Sequence, residues 1–553
     1  MRRIYWYLSL VALVSFGLIT ETADDFFEIS KNMEIYGKVY TEVNRIYVDD
    51  VNPGRLMRTG IEAMLASLDP YTNYYSESQI EASRLYNSGQ YSGIGAEMVI
   101  RGEKIIISEL FQSGPADQAG IKVGDEVLKI DEESLSGSQF DLEDIQNLIL
   151  GENKTPVRLT IRRVGETVPQ EVSILRGGAT VQQQNVPYAG MADSVTGYIM
   201  LTGFMQDAGL EVAQALTRLK KEHPGLRGVI LDLRGNPGGR LDEAVNVVNV
   251  FIPQNERTVE MHGRSRESNN IFHSTQQPVD SKIPVAVLLN GRSASASEVV
   301  AGAIQDMDRG VIVGQRSFGK GLVQNVRPLS HNTQMKITVA KYYTPSGRCI
   351  QAIDYGNRYA DGRAGRIPDS LVKAFKTRNG RIVYDGGGIS PDIEVPIPAQ
   401  PPIVAALEAQ NLIFDFVTQY ASSHDSLPGG RAFEVGDAAY EDFRAFLKVR
   451  GFLYQTPLEL QLARLRIKAD SLADPVLLAR VADLEKALSR EKQDEVTLQK
   501  PYLTTLLRRE LVNRYYYKQG ALEASFDQDA DIREARRILA DPTSYQALLA
   551  PPK

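Results

Sequence analysis

Short apolar runs alternating with helix-like ones constrain residues 180 to about 396 more than any other feature of the chain. Val229–Leu233, Val285–Leu289 and Val311–Val313 read as strands, and Leu241–Phe251 and Ser297–Met307 as helices. Strand and helix in turn are the signature of an α/β layer fold. That region is one part of a larger whole, because 553 residues exceed what a single hydrophobic core usually holds, and three or four domains are expected.

The flanks have other periods. From Asp24 to about Asn87 the repeat is helical, with Met33, Tyr36, Tyr40, Val43 and Tyr47 recurring at steps of three and four. A second helix opens at Asn52-Pro53 and is expected to bury Leu56, Ile61, Met64, Leu65 and Leu68. Residues 88–178 switch to short alternating strands with one embedded helix. Pro396, Pro398, Pro401 and Pro402 make a joint, beyond which the pattern is helical and charged. The expected division is an export segment (1–23), an N-terminal helical segment (24–87), a strand-rich domain (88–178), an α/β core (179–400) and a C-terminal helical domain (401–553).

Met1-Arg2-Arg3 followed by the apolar run Ile4–Ile19 has the pattern of an export signal. The expected location is outside the cytoplasm, in the periplasm or tethered to the membrane facing it, with signal cleavage or retention left open. A net charge of −7 argues against a nucleic-acid binder. Cys349 is the sole cysteine and reads as a small buried residue; no Cys/His spacing resembles a metal site, and no cofactor is expected.

Within 88–178, Tyr91-Ser92-Gly93-Ile94-Gly95-Ala96 is a glycine loop running into a strand. Pro115-Ala116-Asp117-Gln118-Ala119-Gly120-Ile121-Lys122-Val123-Gly124-Asp125 then sets a short helix, a stop and a turn before the buried strand Val127–Ile130. The combination resembles a PDZ domain. Such domains add a peptide as an extra strand and hold its carboxylate on loop N–H groups, here those of Gly93, Ile94 and Gly95. In isolation the glycines would read as a tight turn only.

Three segments of the α/β region bear chemistry. Asp232-Leu233-Arg234-Gly235-Asn236-Pro237-Gly238-Gly239 breaks a buried strand into a loop whose backbone can approach a ligand. Ser293-Ala294-Ser295-Ala296-Ser297-Glu298 follows a strand and opens a helix, where unpaired N–H groups and the positive dipole end favour an oxyanion. In Phe318-Gly319-Lys320-Gly321-Leu322-Val323-Gln324, an extended chain puts Lys320 and Gln324 on one face.

Together these segments resemble the carboxyl-terminal processing, or tail-specific, serine protease family over roughly residues 25–396. The resemblance implies Ser295 as nucleophile, Lys320 as general base, Gln324 orienting it, and the N–H groups of Ala296 and Gly239 as the oxyanion hole. It implies a multidomain α/β architecture: an N-terminal helical segment, an α+β PDZ domain, a crotonase-like α/β protease core and a C-terminal helical region. Substrates would be proteins or peptides with accessible C-terminal tails, and the helical regions could serve an adaptor or self-association. The residues agree with the chemistry. None of the five histidines lies in these segments, so a histidine base has no candidate. Lysine serves only when neutral, which burial favours, and Phe318, Gly319, Gly321 and Leu322 bring no negative charge; activity is then expected to fall on the acid side.

Other readings compete. Ser295-x-x-Glu298 also fits a helix capping box, and on that segment alone the two readings weigh equally. Asp232 and Arg234 read as a structural pair. Gly314–Lys320 fits most of a phosphate-binding loop, but Gly321 stands where Ser or Thr must hold magnesium, and a strand follows instead of a helix. The non-enzymatic alternative is an exported PDZ scaffold or chaperone with an inactive core.

Overall fold

A computed structural model describes residues 26–77, 79–80, 91–135, 140–177, 185–359, 361–397, 399–472, 474–492 and 495–551. The expected export segment at 1–23 and Pro398 of the proline joint lie outside them. The chain divides into two compact units. The smaller takes in the described residues up to Ile80 with Gln324–Thr338, and the larger holds the described residues from 91 through Val323 with those from Val339 onward.

In the smaller unit a helix over 26–46 precedes Pro53–Ala66, which starts as expected: the Asn52 side chain accepts the Arg55 N–H and Pro53 takes the first helical position. The expected burial fails. Only Leu65 is buried, whereas Met64 is 61% and Leu68 51% exposed; Met33 and Tyr36 on the preceding helix, and Tyr47 just beyond its end, are exposed too. The period identified helices correctly, and among the described residues of this unit Pro53–Ala66 packs on a short strand, Asn73–Tyr75, which leaves apolar side chains such as Met64 and Leu68 exposed.

In the larger unit the α/β core is a six-stranded sheet in the order Tyr188–Met191, Thr196–Met200, Gly228–Asp232, Val285–Leu289, Val311–Gly314, Ile393–Glu394. The first pair is antiparallel and the rest parallel. Helices Ala208–Glu222, Leu241–Asn249 and Ala296–Asp306 cover the face bearing Val229, Leu231, Val287 and Leu289. The last helices of the chain, Ala530–Ala540 and Pro542–Leu549, cover the opposite face, where Ile230, Ala286 and Leu288 meet Ile532, Ile538 and Tyr545. Parallel strands are buried on both faces, which is why these runs show no polar alternation. The Tyr545 hydroxyl accepts the Val285 N–H at 3.0 Å, and Arg234 bridges Asp232 (2.7 Å) to Asp529 (2.8 Å) and Asp531 (2.9 Å). Asp232 and Arg234 are thus a structural pair that fastens the end of the chain to the core.

Residues 96–175 form a second antiparallel sheet in the order Ala96–Arg101, Lys104–Leu110, Glu126–Ile130, Pro156–Arg162, Gln170–Leu175, with helix Leu142–Ile149 packed against it. This sheet docks on the C-terminal helices. Arg101 stacks on Phe414 and pairs with Asp415 at 2.9 Å; the Tyr517 hydroxyl donates to Asp117 at 2.7 Å. The Arg514 guanidinium donates to the Val123 carbonyl at 2.9 Å and the Thr418 hydroxyl at 3.0 Å, and burial pulls it down to about 10. Removing a buried charged donor strands its acceptors, so Arg514→Ala is expected to cost this docking about 2 kcal/mol. Amide exchange should quicken in Lys122–Asp125 and stay unchanged in the strands of the α/β sheet.

Candidate active site

The loop after strand Gly228–Asp232 is built by Asn236, whose side chain is fully buried. Its amide donates to the Leu201 carbonyl at 2.8 Å and accepts the Gly238 N–H at 2.8 Å, while its own carbonyl receives the Ala294 N–H and the Ser297 hydroxyl, both at 3.0 Å. The loop is thereby pressed onto the serine segment. Gly238 has φ +102°, and a Cβ there would lie 2.8 Å from Ser295 Cβ and 2.9 Å from Ala296 N. Gly239 is equally hemmed in: a Cβ would lie 2.4 Å from the Phe204 carbonyl oxygen. Glycine at 238 and 239 is a condition of this close approach.

The three serines separate by what their hydroxyls do. Ser293 donates to the Leu233 carbonyl at 2.8 Å and accepts the Asn290 N–H at 3.0 Å, and Ser297 donates to Asn236. The Ser295 hydroxyl donates to no backbone carbonyl among the described hydrogen bonds; it lies beside the phenol of Tyr342, a buried tyrosine that burial pushes up to about 12. Ser295 adopts φ +57°, ψ −114° and caps the helix Ala296–Asp306. Such a backbone in a residue with a side chain is strained and marks functional turns. Among the described hydrogen bonds, the N–H groups of Ala296 and Gly239 have no protein acceptor.

The lysine segment comes to the same place through Glu298, which is fully buried. One carboxylate oxygen accepts the Ser317 hydroxyl (2.5 Å) and the Gly319 N–H (2.7 Å); the other accepts the N–H groups of both Ser295 and Lys320, each at 2.8 Å. The backbones of Ser295 and Lys320 therefore stand no farther apart than these two bonds laid end to end. Burial pushes the Glu298 carboxyl up, and the four donors oppose that. The Tyr342 N–H donates to the Gly321 carbonyl at 2.8 Å, so Tyr342 is fastened to the lysine segment by its backbone while its phenol lies beside Ser295. Phe318, Gly319, Gly321 and Leu322 bring no acidic side chain to the lysine loop, as expected; the acidic group beside it is Glu298, which lies outside that segment's sequence and reaches it only through the fold. A strand, Leu322–Pro328, follows the loop, as the argument against a phosphate-binding loop required.

Ser295, Ala296, Gly239 and the Lys320 backbone are thus brought together. Gln324 falls in the smaller unit, where its side chain donates to the Thr338 hydroxyl at 3.2 Å, and Thr338 N–H in turn donates to the Thr72 hydroxyl at 3.2 Å. Cys349 is half-buried, and burial pushes its thiol up. Sequence reasoning missed Glu298 and Tyr342 as site residues. The first was visible as the end of the capping box, whose Glu298-to-Ser295 N–H bond does form; nothing in the sequence marked the second.

In the strand-rich domain, the carbonyls of Gly93, Ile94 and Gly95 are taken by the N–H groups of Gly177 (3.0 Å), Ala116 (2.8 Å) and Phe111 (3.0 Å). The Ile94 side chain is buried in the domain's core. The strand they lead into, Ala96–Arg101, is an edge strand paired with Lys104–Leu110 alone among the described strands. A loop feeding an open edge is what strand addition by a peptide needs.

Comparison with known proteins agrees with these features. Residues 195–356 match the model of peptidase family S41, residues 109–163 that of a PDZ domain, and residues 403–539 that of the "probable PDZ-protease, C-terminal helical domain". A carboxy-terminal-processing protease of Bartonella bacilliformis is 35% identical over 325 residues, spanning 58% of this chain and 73% of that protein. A probable CtpA-like serine protease of Staphylococcus haemolyticus is 34% identical over 56% of this chain and 61% of its own length. Among solved structures, the photosystem II D1 C-terminal processing protease is 26% identical, with 66% of this chain and 93% of that one covered at a TM-score of 0.37. The chain belongs to peptidase family S41, and is a serine endopeptidase of the carboxy-terminal-processing kind that carries a PDZ domain.

Proposed function

We propose that this protein is an exported endopeptidase that grips the C-terminal tail of a protein substrate through its PDZ domain and cleaves it with a Ser295–Lys320 dyad. The observation that carries the reading is the single Glu298 oxygen on which the N–H groups of Ser295 and Lys320 converge. The neutral Lys320 amine removes the Ser295 proton as the oxygen attacks the peptide carbonyl. The resulting oxyanion is met by the N–H groups of Ala296 and Gly239 at the positive end of the Ala296–Asp306 helix. Lys320 then passes the proton to the leaving amine, leaving an ester on Ser295, and water attacks that ester by the same route in reverse. The tail carboxylate is held by the N–H groups of Gly93, Ile94 and Gly95, with the peptide added beside Ala96–Arg101. Export follows from Arg2 and Arg3 ahead of Ile4–Ile19.

The test is cleavage of an unstructured polypeptide ending in apolar residues, offered with a free or an amidated C-terminus. The free acid is expected to be cut with a kcat/KM about tenfold higher, because the amide forfeits the charge-assisted contacts of the loop. Equal rates would remove the tail-gripping step. No cleavage of either polypeptide by folded protein would return the chain to the scaffold reading.

A further inference from the structure

Glu298 has no part in the steps above, yet its side chain has no exposure to solvent at all. Burying a carboxylate is costly unless hydrogen bonds replace the lost water, so a carboxylate kept in this position is there for what it binds. A helix cap explains one of its four bonds, the one to the Ser295 N–H. The other three reach a different segment: the Ser317 hydroxyl, the Gly319 N–H and the Lys320 N–H. Gly388 closes the remaining side, since a Cβ there would lie 3.0 Å from the first carboxylate oxygen.

We propose that Glu298 is a positioning residue for peptide cleavage, an acceptor-only group that ties the Ser295 turn to the Lys320 loop and so fixes the reach between hydroxyl and amine. The inference rests on the assignment of Ser295 and Lys320 as nucleophile and base. All four partners are donors, and only a carboxylate offers four acceptor positions with no hydrogen of its own. A carboxamide cannot do the same. Turned one way its NH2 faces the N–H groups of Ser295 and Lys320; turned the other way it faces that of Gly319, and only the Ser317 hydroxyl can rotate to accommodate it. Glutamine keeps the volume and the burial and loosens the tie. Aspartate keeps the charge but is one methylene short of the second segment.

The experiment compares Glu298→Gln, Glu298→Asp and Ser317→Ala with the wild-type chain in the polypeptide assay, alongside thermal melting and binding of a non-cleavable tail peptide. Glu298→Gln and Glu298→Asp are expected to lower kcat about 30-fold to 100-fold, because small misplacements of reacting groups have effects of that size. KM should stay within about twofold, since no substrate contact is removed. Tail-peptide affinity should be unchanged. A folded Glu298→Gln variant with kcat within threefold of wild type overturns the proposal, and so does a kcat loss matched by an equal loss of tail affinity, which would mark general softening. Should neither Glu298 variant fold, Ser317→Ala decides. It withdraws one donor from Glu298, together with the acceptor of the Ile389 N–H, and touches neither reacting residue; a kcat about fivefold lower at unchanged KM and tail affinity supports the tie, and an unaltered kcat overturns it. Ser295→Ala and Lys320→Ala run in the same assay: cleavage that survives them removes the dyad itself, whatever Glu298 shows.

Discussion

Replacing Lys320 with alanine is expected to slow cleavage by about four orders of magnitude or more, with Ser295→Ala as severe, because nucleophile and base act as one unit. The physical reason is the weakness of an unassisted serine hydroxyl at neutral pH. Without a base the oxygen keeps its proton, and no substitute stands nearby: none of the five histidines falls in the three site segments, and the Glu298 carboxylate is already saturated by four donors. The informative variant is Lys320→Arg. Arginine preserves length, charge and most hydrogen bonds, but it does not deprotonate in proteins. If Lys320 acted only as a cation, by holding an oxyanion or a tail carboxylate, the arginine enzyme would retain much of its rate. If it is a base, Lys320→Arg should be as inactive as Lys320→Ala, while both melt and bind tail peptide like wild type. Steady-state cleavage of the free-acid polypeptide measures this, and an arginine variant with more than a tenth of the wild-type kcat would refute the general-base role.

How much of this was legible in the sequence depends on range. The strands of the core showed as unbroken apolar runs because both faces of each are covered, and the turn chemistry of Asn236–Gly239 and Gly319 is written in glycines whose positive φ or crowded Cβ positions demand them. What covers the second face was not legible: Ile532 and Tyr545 lie more than two hundred residues from the strands they pack on, and a charged amphipathic helix reads the same whether it meets a sheet or solvent. The N-terminal helices show the converse. Their period was right, but period alone does not say whether an apolar face finds a partner, and Met64 and Leu68 are exposed. At the site, Ser295 and Lys320 were found by local pattern. Glu298 was seen in only one of its two settings, since its cap bond is local and its bonds to Ser317, Gly319 and Lys320 are not. Tyr342 sits in a strand of ordinary composition, and only the fold brings it beside Ser295.

The glycine loop should prove nearly as critical as the dyad. Gly238→Ala is expected to lower kcat about 10²–10³-fold with little change in KM, the loss that follows removal of one oxyanion donor. The added methyl would sit 2.8 Å from Ser295 Cβ and from the Ala294 carbonyl oxygen, and 2.9 Å from Ala296 N, all in a buried turn held by Asn236 and Glu298. None of these atoms is the free end of a side chain, so the clash is relieved only by moving the loop off the serine turn, and Gly239 N–H travels with it. Backbone strain alone would produce a different result, and Gly235→Ala separates the two. Gly235 also has a positive φ, +72°, but a Cβ there meets nothing within 4 Å. That variant should lose about 1 kcal/mol of stability through strain and keep nearly the full kcat. Melting temperatures and kcat for the pair give the answer: if both variants are equally destabilised yet both cleave within fivefold of wild type, the loop shapes the turn without stabilising the oxyanion. A wide gap in kcat at similar stability places the developing negative charge beside Gly239.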